Sequence, residues 1–131
     1  MAKINRQSQE ELDRATPVAL ETAIRILESW SCEPAQTEVI LGLSKQLMGE
    51  CYHNPKQVHL TQEQQERLSY VLNIYQAIRT LFSQQANVDN FMSLKNCNGM
   101  FNGKAPLDFI LEGHLDNLKY TYLHIQSLSG H

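Results

Sequence analysis

Residues 61 to about 83 carry the pattern that most narrows what this chain can fold into. Thr61 is placed as a helix N-cap, and Gln64, three positions on, completes a capping box. Leu68, Val71, Leu72, Tyr75, Ile78, Leu81 and Phe82 then recur at threes and fours, the spacing of one helix face. Fully burying each aliphatic member contributes roughly 1.5–3 kcal/mol relative to exposure, so this helix reads as the spine of a core. No segment sustains a two-residue alternation, and no internal repeat is evident. The sequence therefore predicts an all-α protein: a bundle containing a helix-turn-helix, followed by a small helical subdomain.

The flanking segments give further helices. Residues 1–15 are polar and mixed in charge and read as a flexible arm or a weak first helix. Thr16-Pro17 reads as an N-cap with proline at the first helical position. Val18, Ala23, Ile24, Ile26, Leu27 and Trp30 mark the amphipathic helix that follows, which Ser31 and Cys32 break. Glu33-Pro34 restarts a helix with Val39, Ile40 and Leu41 on its inner side. Gly42 suits the residue after its end, Leu43 tucks inward, and Ser44 caps a helix over about 45–52. Two short helices about a glycine bend are a helix-turn-helix arrangement. Asn54-Pro55 signals a turn. Asn87 reads as the cap of a shorter helix holding Val88, Phe91, Met92 and Leu94. Leu115, Leu118, Tyr122 and Ile125 mark a closing helix. These give an arm over 1–15, a helix-turn-helix domain over 16–85 and a second domain over 86–131.

Composition removes several function classes. The chain has 131 residues, 42% hydrophobic and 19% charged, which fits a compact globular protein. No apolar run approaches a membrane span, and the N-terminal residues lack the apolar stretch of a signal peptide, so a cytoplasmic protein is expected. A formal net charge of −3 argues against a strongly nucleic-acid-binding surface. Cys32, Cys51 and Cys97 are far apart with no C-x-x-C pair, and read as free buried thiols. Cys51 with His53 and His59 lacks the second ligand pair of a metal site, so no metal or other cofactor is expected. Residues 99–104, G-M-F-N-G-K, fail as a phosphate loop: the spacing is short, Ala105 stands where a hydroxyl is needed, and no strand leads in. No nucleophile, base and orienting group fall in a catalytic pattern, so no enzyme activity is expected.

Two stretches suggest binding. In the helix-turn-helix, Ser44, Lys45, Gln46, Met48 and Lys56 are the candidates for DNA contact, with Lys45 and Gln46 the usable donors. Glu50 repels phosphate, and residues 17–85 hold five Lys/Arg against seven Asp/Glu. The other stretch is residues 96–113, N-C-N-G-M-F-N-G-K-A-P-L-D-F-I-L-E-G. Asn98-Gly99 and Asn102-Gly103 tolerate positive φ. Ala105 is pushed from helical values by the proline after it. Pro106 starts a short helix with Leu107, Ile110 and Leu111, and Gly113 ends it. Phe101, alone among polar and glycine neighbours, reads as a plug into the core or as an anchor for a partner.

Taken together, the two stretches resemble the Xre/MbcA/ParS-type antitoxins, which pair with RES-domain toxins in bacterial toxin–antitoxin systems. A-I-R-I-L-E-S-W, L-G-L-S and L-T-Q-E-Q-Q-E-R-L-S-Y-V-L-N-I-Y-Q-A-I-R-T-L-F resemble the helix-turn-helix half. N-G-M-F-N-G-K-A-P-L-D-F-I-L-E-G resembles the toxin-binding half, and the likeness covers about residues 18–128. It implies a non-enzymatic antitoxin whose C-terminal half blocks the NAD-degrading pocket of a RES-type toxin. The N-terminal half would dimerise or bind operator DNA, giving a homodimer or a hetero-oligomer with the toxin. The positions carried over as partner contacts are Asn98, Phe101, Gly103, Lys104, Pro106, Leu107 and Asp108. Where family members carry basic or aromatic residues in the second helix of the helix-turn-helix, this chain has Leu47, Met48, Gly49 and Glu50, which weighs against operator contact.

Overall fold

The structure is a computed structural model whose described residues are 6–95 and 101–128, with residues 6–15 described by backbone alone. Among them every regular element is helical: α1 (Arg6–Ser29), α2 (Pro34–Leu41), α3 (Lys45–His53), α4 (Gln62–Leu81), α5 (Gln85–Asn90), α6 (Pro106–Ile110) and α7 (Leu115–Ser127). Single 3-10 turns follow α3 at Pro55–Gln57 and α5 at Phe91–Ser93. No described helix is long and apolar enough to cross a membrane.

α4 is the spine. Thr61 Oγ1 accepts from the Gln64 N–H at 3.1 Å while Gln64 Oε1 accepts from the Thr61 N–H at 2.8 Å, so the capping box forms. Val71, Ile74 and Ile78 are fully buried, and the helix packs against both α1 and α7. One continuous buried cluster runs from Leu20 to Ile125, drawing on residues from both sides of position 85.

Local signals fix most helix ends. α1 stops in a Schellman arrangement: Ser31 has φ 66°, its N–H reaches the Glu28 carbonyl at 2.9 Å, and the Cys32 N–H reaches Leu27 at 3.0 Å. α2 stops the same way at Gly42, φ 66°, with the Leu43 N–H on the Glu38 carbonyl at 2.9 Å. Leu43 is buried there, and Ser44 Oγ accepts from the Leu47 N–H at 3.0 Å to open α3.

Several sequence expectations are corrected. Thr16 does not cap a helix: α1 spans Arg6–Ser29 with Pro17 inside it, so of the two readings of residues 1–15, arm or first helix, the described part from Arg6 is helix. Pro17 removes one backbone donor, and a preceding run of strong helix formers (Glu10, Glu11, Leu12, Arg14, Ala15) carries the helix through. Val18 is 69% exposed, because the buried stripe is Leu20, Ala23, Ile24 and Leu27, and Val18 lies about 200° from Leu20 around the helix. Val39 and Leu94 are likewise exposed. Asn87 lies within α5, whose N-cap is Gln84. The Gln84 carbonyl takes the N–H groups of Asn87 and Val88, so the turn opens three residues earlier than expected.

Ile74, absent from the periodic set read from the sequence, is 0% exposed at the centre of α4. Ile74→Ala is expected to lower stability by about 2–5 kcal/mol, and Val18→Ser to stay within about 0.5 kcal/mol. Urea titration followed by the fluorescence of Trp30, the single tryptophan and 3% exposed, checks both.

Candidate functional site

The stretch before and through α6 is built on its aromatic residue. Phe101 is 1% exposed. Its ring meets Phe109 edge-on at 5.2 Å between centroids and His124 of α7 at the same distance. Directly after it the chain reverses: the Lys104 N–H donates to the Phe101 carbonyl at 2.9 Å, and Asn102 and Gly103 have φ of 52° and 82°. Positive φ at both central positions is the type I′ pattern, for which asparagine and glycine are the suited residues. Ala105 is extended and buried, and Pro106 enters α6 at its first turn, also buried.

This architecture sorts the carried-over positions. Gly103, Lys104 and Asp108 are exposed, Leu107 is half-buried, and Phe101 and Pro106 are inside. Phe101 and Pro106 therefore hold the loop from beneath and present nothing to a partner in this conformation. Asn98, with the Asn98-Gly99 pair, lies outside the described residues. The exposed rim is Asn102, Gly103, Lys104, Asp108 and Glu112, and Lys104 Nζ lies 3.4 Å from a Glu112 carboxylate oxygen. At 54% and 41% side-chain exposure that pair contributes little on its own.

Two polar residues that sequence reading passed over support the rim. Asn117 of α7 donates from Nδ2 to the Phe109 carbonyl at 2.7 Å, tying α6 to α7. Arg67 of α4 is 8% exposed. Its Nη2 donates to the Gly113 carbonyl at 2.9 Å, and Nη1 donates to the Ile40 carbonyl at 3.3 Å and lies 3.5 Å from that of Val39. Its Nε makes no hydrogen bond, and the nearest carboxylate, Glu63, lies 3.6 Å away and is exposed. The signal was present in the sequence. Arg67, Val71, Ile74 and Ile78 form one stripe at threes and fours, as Asn117, Thr121 and Ile125 do on α7. A polar residue continuing an apolar stripe is buried and needs a partner.

The α2–α3 bend is a different surface. Ser44, Lys45, Gln46 and Lys56 are exposed, but Met48 is buried at 4% and reaches no base. Glu50 is exposed, and Tyr52 beside it is 58% exposed. Burial first, then the Glu28 and Cys51 charges, push the Tyr52 phenol above its ordinary value. A groove of about 250 Å³ between α1 and α3 has Leu20, Ile24 and Cys51 in it, with Glu21 and Glu28 at its edge.

Among the described residues no three His, Cys, Asp or Glu side chains come together as a metal site. His53, His59 and His114 are exposed, and His124 faces Phe101. Neither described thiol is activated. Burial pushes Cys32 from 9.0 up to about 11. Burial, then the Glu50 charge, raise Cys51 against a lowering backbone hydrogen bond. Compared with protein-family models, curated proteins and solved structures, the chain gives no match.

The Cys32 shift has a measurable consequence. Below pH 9.0 the thiol is protonated in the folded and unfolded chain alike; above it the unfolded chain ionises first, so this residue's contribution falls as pH rises toward about 11. Urea stability is expected to decline through that window, and less so in Cys32→Ala. At about pH 8, iodoacetamide should leave Cys32 unmodified until the chain is unfolded, as peptide mass mapping would show.

Proposed function

We propose that this protein is an antitoxin that binds and neutralises a RES-type NAD-degrading toxin by protein–protein contact, without catalysis and without a cofactor. The reading rests on the family resemblance. The observation that supports it best is the division of labour in the loop: the aromatic and proline of the matched motif form an internal footing, and Gly103, Lys104 and Asp108 remain on the outside. A preformed turn loses little conformational entropy on docking, which favours affinity from a small surface. As partner of an intracellular enzyme the chain would act in the cytoplasm, as a homodimer or in a hetero-oligomer with the toxin.

Co-expression with the cognate RES-type toxin should restore growth, and the two proteins should co-purify. Lys104→Glu is expected to weaken the complex about tenfold, equivalent to 1.4 kcal/mol, with an unchanged far-ultraviolet circular dichroism spectrum. Calorimetric titration of the purified pair measures this. An unchanged affinity would remove the loop from the contact surface, and failure of the wild-type chain to bind any such toxin would remove the reading.

A second reading, operator binding for autoregulation, is favoured by one observation: Ser44 caps α3 so that Lys45 and Gln46 stand exposed on its first turn. Lys45 and Lys56 are the exposed lysines on this part of the chain. Two phosphate contacts per protomer give a shallow dependence of binding on salt, a logarithmic slope of about −2, or about −4 for a dimer. Fluorescence anisotropy with the protein's own promoter region, with and without the toxin, should return that slope. No binding at low salt in either case would dismiss this reading.

A further inference from the structure

Lys104 is exposed, and its ion pair with Glu112 is too weakly held to fix the position of either side chain. Where Glu112 stands is instead a property of its backbone. The Glu112 N–H donates to the Phe109 carbonyl at 3.3 Å and the Gly113 N–H to Ile110 at 3.2 Å. Gly113 itself has φ 89°, so the chain changes direction there before α7 begins. The carbonyl of that bend points into the Arg67 guanidinium, 2.9 Å from Nη2.

The same guanidinium reaches the end of α2 through Nη1. Gly42, which ends α2, lies so close that a Cβ there would come within 3.1 Å of Arg67 Cδ. On the other side, a Cβ on Gly113 would lie 3.5 Å from Val39 Cγ1. The α2 end and the α6–α7 bend are therefore neighbours, and Arg67 is the hydrogen-bonded piece between them. An apolar neighbour such as Val39 imposes no directional preference. A carbonyl held by a charged donor does. A planar fork serves two carbonyls at once; a lysine ammonium is a single point charge and does not reproduce that geometry.

We infer that Arg67 is a positioning residue for the exposed rim: by holding the Gly113 carbonyl against the end of α2, it fixes the bend after α6 and with it the backbone position from which Glu112 faces the loop. The part of this inference that concerns a partner rests on reading the loop as a docking surface; the part that concerns the bend does not.

The test uses the full chain in three forms: wild type, Arg67→Lys and Gln64→Ala. Arg67→Lys removes the fork but keeps the charge, so that a folded variant remains for measurement. Gln64→Ala is the control. It deletes the 3.0 Å bond from Gln64 Nε2 to the Gly42 carbonyl and half of the α4 capping box, but makes no contact with Gly113. Amide hydrogen exchange at Gly113 and Asn117, which donate to Ile110 and His114, reads the bend directly. Arg67→Lys is expected to reduce their protection about three- to thirty-fold beyond any change in global stability, and Gln64→Ala to leave them in step with global stability. Affinity for a RES-type toxin should fall in Arg67→Lys by a similar factor and hold in Gln64→Ala.

Protection at Gly113 that follows global stability alone in both variants would overturn the inference. Loss of protection with unchanged toxin affinity would overturn its link to the docking surface. A wild-type chain that binds no toxin would defeat the docking reading, while the exchange measurement would still decide whether Arg67 sets the bend.

Discussion

A guanidinium removed from water and aimed at backbone carbonyls organises one whole end of this molecule. Arg67 is 8% exposed, and its firm partners are neutral. Desolvating a cation is expensive, and hydrogen bonds to a charged group contribute about 1.5–3 kcal/mol each in return. The carbonyls it meets at the end of α2 are among those a helix terminus leaves without intrahelical donors. Arg67 and the α2 end thus satisfy each other, and a cation at a helix C-terminus lies in the favourable direction of the helix dipole. Apolar packing of α4 on α1 and α7 supplies most of the burial but is not directional. The bonds to Ile40 and Gly113 are directional, so they set the register that the packing leaves open.

That register matters because the candidate surface rests on it at second hand. Of the two readings of Phe101, a plug into the core or an anchor for a partner, the structure has the plug. The ring that looks most like a partner anchor, Phe101, is enclosed by Phe109 and His124, and the residues that look like turn filler are the ones in solvent. Glycine and asparagine at positive φ bring Lys104 back over the buried ring, and Pro106 commits the next residues to α6. A motif of this kind mixes two jobs, footing and face, and only burial separates them. Any contact made here is made by polar side chains on a preformed turn, which suits recognition of another folded surface better than capture of an extended peptide.

Local chemistry was legible in the sequence wherever the signal and its consequence lie within a few residues. The Thr61 capping box, the Gly42 stop, the inward Leu43, the Ser44 cap and the Pro106 start all depend on neighbours three to five positions away. The misreadings have a common cause of another sort. Thr16-Pro17 has the local form of a cap, but the helix formers before it extend α1 to Arg6. Val18 and Val39 are apolar and lie within two residues of buried positions, but the angle around the helix decides their side, and each falls outside the stripe its helix buries. Asn87 is a good cap by type, yet the chain leaves α4 in extended conformation at Phe82 and can close a turn at Gln84 first.

What stayed hidden is the pairing of residues distant in sequence. Nothing near Arg67 in the chain names Ile40 or Gly113 as its partners, because those separations, 27 and 46 residues, are bridged only by the tertiary fold. The need for a partner was nevertheless written in the periodicity. Counting back by four from Val71 lands on Arg67, and counting back by four from Thr121 lands on Asn117. A polar residue at the end of a buried stripe is carried inside with the rest. Such a residue has to sit where backbone is left without partners, at helix ends and bends. Arg67 meets the end of α2 and the Gly113 bend, and Asn117 meets the Phe109 carbonyl near the end of α6. Both buried polar groups therefore converge on the same short segment, and that segment carries the exposed loop.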